Sequence, residues 1–128
     1  MFRILTIAAV LGLLSIVLGA FGAHALKEVL NAEQLESFKT GVFYQLIHVI
    51  VIFIVFSSSF FTQKQSKILG YIFLTAISLF SGSIYAIHLT SIPVKSIWWV
   101  TPLGGLLFMV GWAFMIYIFF KKSIEKTD

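Results

Sequence analysis

Cysteine is absent from this 128-residue chain, and charged residues are scarce. Without a thiol the protein can form no disulfide, thiolate nucleophile or thiolate metal site. Only 11% of the residues are charged, whereas ordinary soluble domains contain roughly 25%. Hydrophobic residues make up 59% of the chain, and a soluble domain of this length could not bury so much apolar surface. The composition therefore indicates an integral membrane protein.

Carboxylates are missing from the apolar segments. A proton-driven transporter normally carries a carboxylate inside a span, and no spacing along the chain reveals a paired nucleophile and base. We therefore predict that the protein is not an enzyme and that it needs no cofactor or metal. The acidic residues all lie outside the apolar runs: Glu28, Glu33, Glu36, Glu125 and Asp128.

Four apolar runs are each long enough to cross a hydrocarbon core of about 30 Å as a helix. They cover about residues 4–26, 41–61, 68–89 and 102–120. Thr101 as N-cap, with Pro102 at the first helical position, indicates where the fourth run starts. We predict a single all-α membrane domain over residues 1–128, with four transmembrane helices.

The first apolar run also has features of a secretory signal. Arg3 precedes it, and Ala23-His24-Ala25 fits an A-x-A cleavage site. The run is nevertheless longer than the apolar region of about 7–15 residues that such signals contain. We therefore expect the first span to be retained.

The only markedly polar stretch lies between the first and second runs. Asn31 and Gln34 have the spacing of a capping box, in which each side chain bonds the other residue's backbone. Leu35 and Phe38 share one face of the helix that would follow. We predict a short amphipathic helix over about residues 32–40, lying at the membrane interface.

Small residues form faces on two of the spans. Lipid provides no hydrophobic drive between helices, so spanning helices associate where small residues let their backbones approach. We expect such faces to pack helices within the protein, and to favour a homo-oligomer or association with another membrane protein. The residues are Gly12, Ser15, Gly19 and Gly22 in the first span, and Gly104 and Gly111 in the fourth.

Basic residues are distributed unevenly between the two ends of the spans. They flank apolar runs instead of forming a patch, so the net charge of +4 indicates membrane topology and not nucleic-acid binding. Four spans place both termini on one side, and the positive-inside rule makes that side cytoplasmic. It holds Arg3, Lys64, Lys67, Lys121, Lys122 and Lys126, against Lys27, Lys39 and Lys95 on the other.

This topology brings several polar side chains into the outer half of the membrane. Because imidazole is the commonest metal ligand and can hold haem iron, the histidines raise the alternative of a metal or haem site. A ligand or lipid headgroup, bound or transported there, is a further form of that alternative. The principal prediction remains a non-enzymatic structural, scaffold or accessory component of the cell membrane. The candidate polar cluster comprises His24, Tyr44, Gln45, His48, Ser81 and Tyr85.

Four blocks of sequence, in order along the four spans, form a recognisable pattern. With them the chain resembles a family of small four-span membrane proteins grouped as a domain of unknown function, which includes the eukaryotic transmembrane protein 256. The resemblance implies a multi-pass membrane protein with no established activity and a retained first span. His24 and His48 match the pattern, whereas His88 does not, which weakens a three-histidine site. The blocks are Gly19-Ala20-Phe21-Gly22-Ala23-His24; Thr40-Gly41 with Tyr44-Gln45 and His48; Leu79-Phe80-Ser81-Gly82-Ser83 with Tyr85; and Thr101-Pro102 with Gly104-Gly105, Phe108 and Gly111-Trp112-Ala113.

Overall fold

The fold, seen in a computed structural model that describes residues 1–125, is all-helical over those residues. Four of the helices are long and apolar enough to cross a membrane, which confirms the predicted architecture. Lys126 and Asp128, which entered the sequence predictions, lie outside the described residues. The elements are α1 (Phe2–Ala23), a 3₁₀ helix (Ala25–Glu28), α2 (Ala32–Ser57), α3 (Gln63–Leu89), the short α4 (Val94–Ile97) and α5 (Val100–Glu125).

The predicted interfacial helix over residues 32–40 is not a separate element. Those residues are the first turns of α2, which runs without a break from Ala32 to Ser57. The capping box of Asn31 and Gln34 is confirmed, since each side chain bonds the backbone N–H of the other residue. Phe38 is fully buried and lies against Gly22 of α1. The apolar face of this segment therefore packs on the protein instead of lying on the membrane surface.

The other helix ends also differ from the predicted spans. α3 begins at Gln63, five residues before the predicted start, because Thr62 and Gln65 form a second capping box. α1 ends at Ala23, where His24 closes the helix through its backbone N–H. α5 begins at Val100, so Thr101 is not the N-cap. Its hydroxyl lies inside the helix and is hydrogen-bonded to that of Ser83 on α3.

α2 and α3 form the centre of the molecule. α1 packs mainly on α2, and α5 packs on α3, while α1 and α3 touch over a shorter stretch. The interior between α2, α3 and α5 is aliphatic and aromatic, with Ile52, Leu69, Phe73 and Ile77 almost completely buried. α2 and α5 both pack on α3, and aromatic side chains of the two helices meet beside it.

The two ends of the described chain lie beside the connection between α2 and α3. A Cβ atom added at Gly70, in the second turn of α3, would lie 3.0 Å from Cγ2 of Ile4 in α1. The ring of Phe119, near the end of α5, packs edge-on against Phe61 with centroids 5.3 Å apart. The start of α1 and the end of α5 are therefore at the same end of the bundle.

Candidate functional site

Gln45 joins three helices in the interior. Its side chain is 2% exposed, and its Nε2 donates to the backbone carbonyl of Leu11 in α1 over 2.7 Å. Its Oε1 accepts from the hydroxyl of Tyr85 in α3 over 2.8 Å. We call Leu11, Gln45 and Tyr85 the Gln45 junction. Because an amide has a donor and an acceptor on one carbon, a single side chain holds both neighbours of α2.

Two serines near this junction also bond backbone carbonyls. Ser81 of α3 is fully buried, and its hydroxyl donates to the carbonyl of Gly41 in α2 over 2.7 Å. Ser15 of α1 donates to the carbonyl of Leu11 in its own helix over 2.9 Å. A hydroxyl in a span can thus be satisfied by a helix carbonyl. Both hydroxyls are therefore satisfied by helix carbonyls, and that of Ser81 links α3 to α2.

His48 joins α2 to α5 through a bond that fixes its tautomer. The indole Nε1–H of Trp112 donates to Nε2 of His48 over 3.1 Å. Indole is only a donor, so this Nε2 carries no proton, and the proton of the neutral ring is on Nδ1. Nδ1 then donates to the carbonyl of Tyr44, one turn earlier in α2, over 2.8 Å. Both ring nitrogens are therefore engaged.

Aromatic rings surround the imidazole of His48. Phe108 of α5 stacks on it with centroids 3.7 Å apart and planes 22° apart. Phe73 of α3 lies on another side, with centroids 5.4 Å apart. Tyr44 stacks one turn away on α2, with its centroid 5.9 Å from that of His48. We call Tyr44, His48, Phe108 and Trp112 the His48 junction, and its rings fill the space between α2 and α5.

An open groove lies beside the His48 junction. Its volume is about 680 Å³, and it runs between α2 and α5 over α3. Tyr44 is 38% exposed and Trp112 is 44% exposed, so both rings form part of its surface. Its lining also includes His48, Phe80, Gly105 and Phe108. Tyr44 and His48 of the predicted cluster therefore line an open groove.

The small residues of α1 face α2. A Cβ atom added at Gly12 would lie 3.4 Å from Cγ1 of Val49, and one added at Gly22 would lie 3.2 Å from the ring of Phe38. At Gly19 the nearest atom would be Cγ1 of Val42, at 3.6 Å. The side chains of α2 thus rest directly on the backbone of α1.

The glycines of α5 lie still closer to α3. A Cβ atom added at Gly104 would lie 2.8 Å from Cα of Phe80, which is a backbone atom. One added at Gly111 would lie 2.5 Å from the ring of Phe73. Real Cβ atoms do not approach other atoms so closely, so position 104 requires glycine if α3 and α5 keep their spacing, and a larger residue at position 111 would displace the ring of Phe73.

The residues of the predicted polar cluster do not form one group. Gln45, Ser81 and Tyr85 lie at or near the Gln45 junction, whereas Tyr44 and His48 belong to the His48 junction. His24 is exposed just after the end of α1. That His24 borders the cluster stays a prediction.

A metal site has little support from this geometry. His88 of α3 bonds the hydroxyl of Ser37 in α2 over 3.1 Å, so His48 and His88 have separate partners. Within residues 1–125, no three of the His, Asp and Glu side chains lie close enough together to hold a metal ion. His48 would have to break a bond to offer a nitrogen to a metal.

Three contributors to these junctions were missing from the predicted cluster: Leu11, Phe108 and Trp112. Trp112 was noted only as part of a glycine-containing block, and Leu11 contributes through its backbone carbonyl. A carbonyl leaves no signal in a sequence. Trp112 is four residues from Phe108, so both lie on one face of α5; that spacing was the available signal.

Comparisons with known proteins give the chain relatives in several bacteria. Residues 18–105 match a family described as "Protein of unknown function (DUF423)". The chain is 39% identical over 121 residues to a "UPF0382 membrane protein" of Haemophilus influenzae, covering 94% of this chain and 96% of that protein. It is 36% identical over 116 residues to the "UPF0382 inner membrane protein YgdD" of Escherichia coli K12, covering 88% and 85%.

A third relative agrees with the first two. The chain is 35% identical over 115 residues to the "UPF0382 membrane protein YwdK" of Bacillus subtilis, covering 86% of this chain and 89% of that protein. No solved structure matches the chain. These similarities confirm the resemblance seen in the sequence and its assignment to the membrane. The chain belongs to the DUF423 family of membrane proteins, whose function is unknown.

Proposed function

We propose that the protein is a non-enzymatic accessory component of the cell membrane that works by packing against another membrane protein or a second copy of itself. One observation carries this proposal. Within residues 1–125, every buried polar side-chain atom has a hydrogen-bond partner. The partners are helix carbonyls and other side chains, so the interior polar groups hold helices together and are not free to activate a substrate.

His48 supports the same conclusion. A general base needs an unprotonated nitrogen within reach of the proton that it removes. Nε2 of His48, the unprotonated nitrogen, accepts from Trp112. The most central ionisable side chain of the spans is therefore used to connect α2 with α5.

The outer helices offer extended apolar surfaces for a partner. On α1, Leu13 is 66% exposed, and on α5, Ile116 is 68% exposed. Because α2 and α3 form the centre of the molecule and α1 and α5 lie outside them, we expect a partner to contact α1 or α5 and not the central pair.

A photo-crosslinking residue in living cells tests this proposal. It is placed at Leu13 on α1, at Ile116 on α5, and at Ile50 on α2 as the comparison position. We expect one of the outer helices to give a discrete protein adduct, identified by mass spectrometry as one membrane protein or a second copy. Adducts with lipid alone at all three positions would contradict an accessory role.

We also propose that both termini are cytoplasmic, on the strength of the basic residues flanking the spans. The natural lack of cysteine makes a labelling test free of background. In intact cells, Glu28→Cys should react with a membrane-impermeant maleimide, and Ser59→Cys should react only after the cells are opened. The reverse pattern would show that the orientation is inverted.

A further inference from the structure

The groove between α2 and α5 is about as long as half of a membrane is thick. Along α5 its lining extends from Pro102 to Trp112, which corresponds to about 15 Å of helix. The hydrocarbon core of a bilayer is about 30 Å thick. Trp98 and Trp99, both exposed, come shortly before Pro102, and tryptophan is enriched at headgroup level. The groove therefore starts at the interface.

The inner end of the groove lies near the bilayer midplane. His48 is midway between Lys39, the last charged residue of α2, and Ser57, the last residue of the helix. Each interval corresponds to about 14 Å of helix. At this depth the hydrogen bond from Trp112 to His48 bridges α5 and α2. The groove thus extends through one leaflet and is bridged at its deep end.

The chemistry of the groove changes with depth. At the deep end, His48 and Trp112 use their polar atoms on each other and on the carbonyl of Tyr44, so the walls there are apolar. Along α2, Tyr44 is closer than His48 to Lys39. The hydroxyl of Tyr44 has no hydrogen-bond partner among residues 1–125. A helical tyrosine leans toward the N-terminus of its helix, which is the interfacial end here. The groove is therefore polar near the interface and apolar below.

A basic residue, Lys95, precedes Pro102, the first groove residue of α5, in the chain. Lys95 of the short α4 is exposed, and it takes part in no ion pair within residues 1–125; the pair found there joins Lys121 and Glu125. Basic residues at the membrane surface attract lipid phosphates. From the interface inward, the protein offers a positive charge, then a hydroxyl, then an apolar channel. A phospholipid has a phosphate, then ester groups, then an acyl chain in the same order.

We propose that this groove binds one acyl chain of a glycerophospholipid, taken from the leaflet in which α5 begins. The phosphate lies toward Lys95, an ester carbonyl accepts from the hydroxyl of Tyr44, and the chain end reaches Trp112. The volume of about 680 Å³ is within the range of about 300–1,000 Å³ that ligand sites have. Gly105 keeps the channel open, since an added Cβ atom would lie 3.8 Å from the ring of Phe80 and a longer side chain would enter the groove.

Native mass spectrometry of the protein released from lipid nanodiscs tests the proposal. The discs contain phosphatidylethanolamine and phosphatidylglycerol in equal amounts. We expect the parent chain to retain one phospholipid and Gly105→Leu to lose it. The matched control is Ala113→Leu, which enlarges an exposed residue of the same helix outside the groove and should retain the lipid.

A second variant tests the contact with the phosphate. Lys95→Gln removes the charge at the interfacial end without changing the channel. We expect it to retain the phospholipid about fivefold less well than the parent, the effect of one lysine near a membrane surface. Equal retention by Lys95→Gln and the parent would overturn the placement of the phosphate.

Two results would overturn the binding of the acyl chain. Equal retention by Gly105→Leu and Ala113→Leu would show that the lipid is held outside the groove. A lipid-free dimer that Gly105→Leu converts to monomer would show that a second copy fills the groove. Circular dichroism and gel filtration verify that each variant folds. If Gly105→Leu does not fold, Met109→Trp takes its place. It enlarges an exposed residue at the rim of the groove and must give the same loss of bound phospholipid.

Discussion

Gln45 and His48 lie three residues apart on α2, yet the first side chain bonds two other helices and the second bonds one. At the first, one side chain bonds α1 and α3 directly, and glycines bring the backbone of α1 against α2. At the second, the side chain forms one bond to another helix and one within its own. Rings fill the remaining distance between α2 and α5, and an open groove is left beside them.

The difference comes from the two functional groups. An amide presents donor and acceptor in nearly the same direction, whereas a neutral imidazole presents them on opposite sides of a ring. Nδ1 of His48 bonds the carbonyl of Tyr44 in its own helix, so only Nε2 can form a hydrogen bond to α5. The Gln45 junction therefore fixes three helices, while the His48 junction leaves α2 and α5 room to adjust to an occupant.

The largest effect is expected where α5 meets α3, because this contact brings Trp112 to His48. Gly104→Ala places a Cβ atom 2.8 Å from Cα of Phe80, so a backbone must move. Overpacking of this kind costs about 1–3 kcal/mol, occasionally more. We expect a lower yield of folded protein and a lower melting temperature. Gly105→Ala is the control and should melt like the parent, since its Cβ atom would be 3.8 Å from the nearest ring atom.

The next largest effect is expected at the Gln45 junction. Gln45→Leu removes two bonds between helices and leaves the hydroxyl of Tyr85 without its acceptor. Single hydrogen bonds between membrane helices contribute about 0.6 kcal/mol on average, so the loss of two should lower the free energy of unfolding by about 1.2 kcal/mol. The double variant Gln45→Leu/Tyr85→Phe should lose less than the two single variants combined, because they share a bond. Strict additivity would refute the junction.

A smaller effect is expected at the His48 junction. His48→Phe retains a ring that can stack on Phe108 and removes one bond between helices. The substitution leaves the indole N–H of Trp112 unpaired, but that side chain is half-exposed, so the added cost to the free energy of unfolding is small. We expect a loss of about 0.6 kcal/mol, the average measured for single hydrogen bonds between membrane helices. If His48→Phe destabilises the protein more than Gln45→Leu does, the ranking of the two junctions is wrong.

The smallest effect is expected at Gly82, on the α1 side of α3. A Cβ atom added there meets nothing within 4 Å. Gly82→Ala should therefore leave the melting temperature unchanged or raise it slightly, because alanine favours helix over glycine. Gly41→Ala offers the contrast, since its Cβ atom would lie 3.1 Å from Ile84. A clear loss of stability in Gly82→Ala would mean that α1 and α3 are closer than described.

The sequence predicted the four spans because apolar length and flanking charge are properties of the chain alone. It misplaced helix ends where short-range bonds decide them, as at Thr62, although that residue and Gln65 have the same spacing as Asn31 and Gln34. It treated residues 32–40 as interfacial because amphipathic periodicity does not reveal what the apolar face packs against. The structure buries Phe38 against another helix.

The sequence predicted which residues contribute to the candidate site but not how they are arranged. Tyr44, Gln45, His48 and Tyr85 stand out as polar residues within apolar runs. Their division into two junctions depends on the rotation of α2 between its neighbours, which no periodicity within one helix specifies. In α1, Gln45 bonds the backbone carbonyl of Leu11. Every residue type has such a carbonyl, so the sequence at position 11 does not indicate this bond.

The two bonds of Gln45 also carry a consequence for biosynthesis. Leu11 precedes Gln45 in the chain, whereas Tyr85 follows it by 40 residues. At about 5–20 residues per second, the ribosome delivers that hydroxyl roughly 2–8 s after the amide. We expect the α1–α2 pair to shelter the amide during this interval through the carbonyl of Leu11. α3 would then join a hairpin already assembled in the membrane.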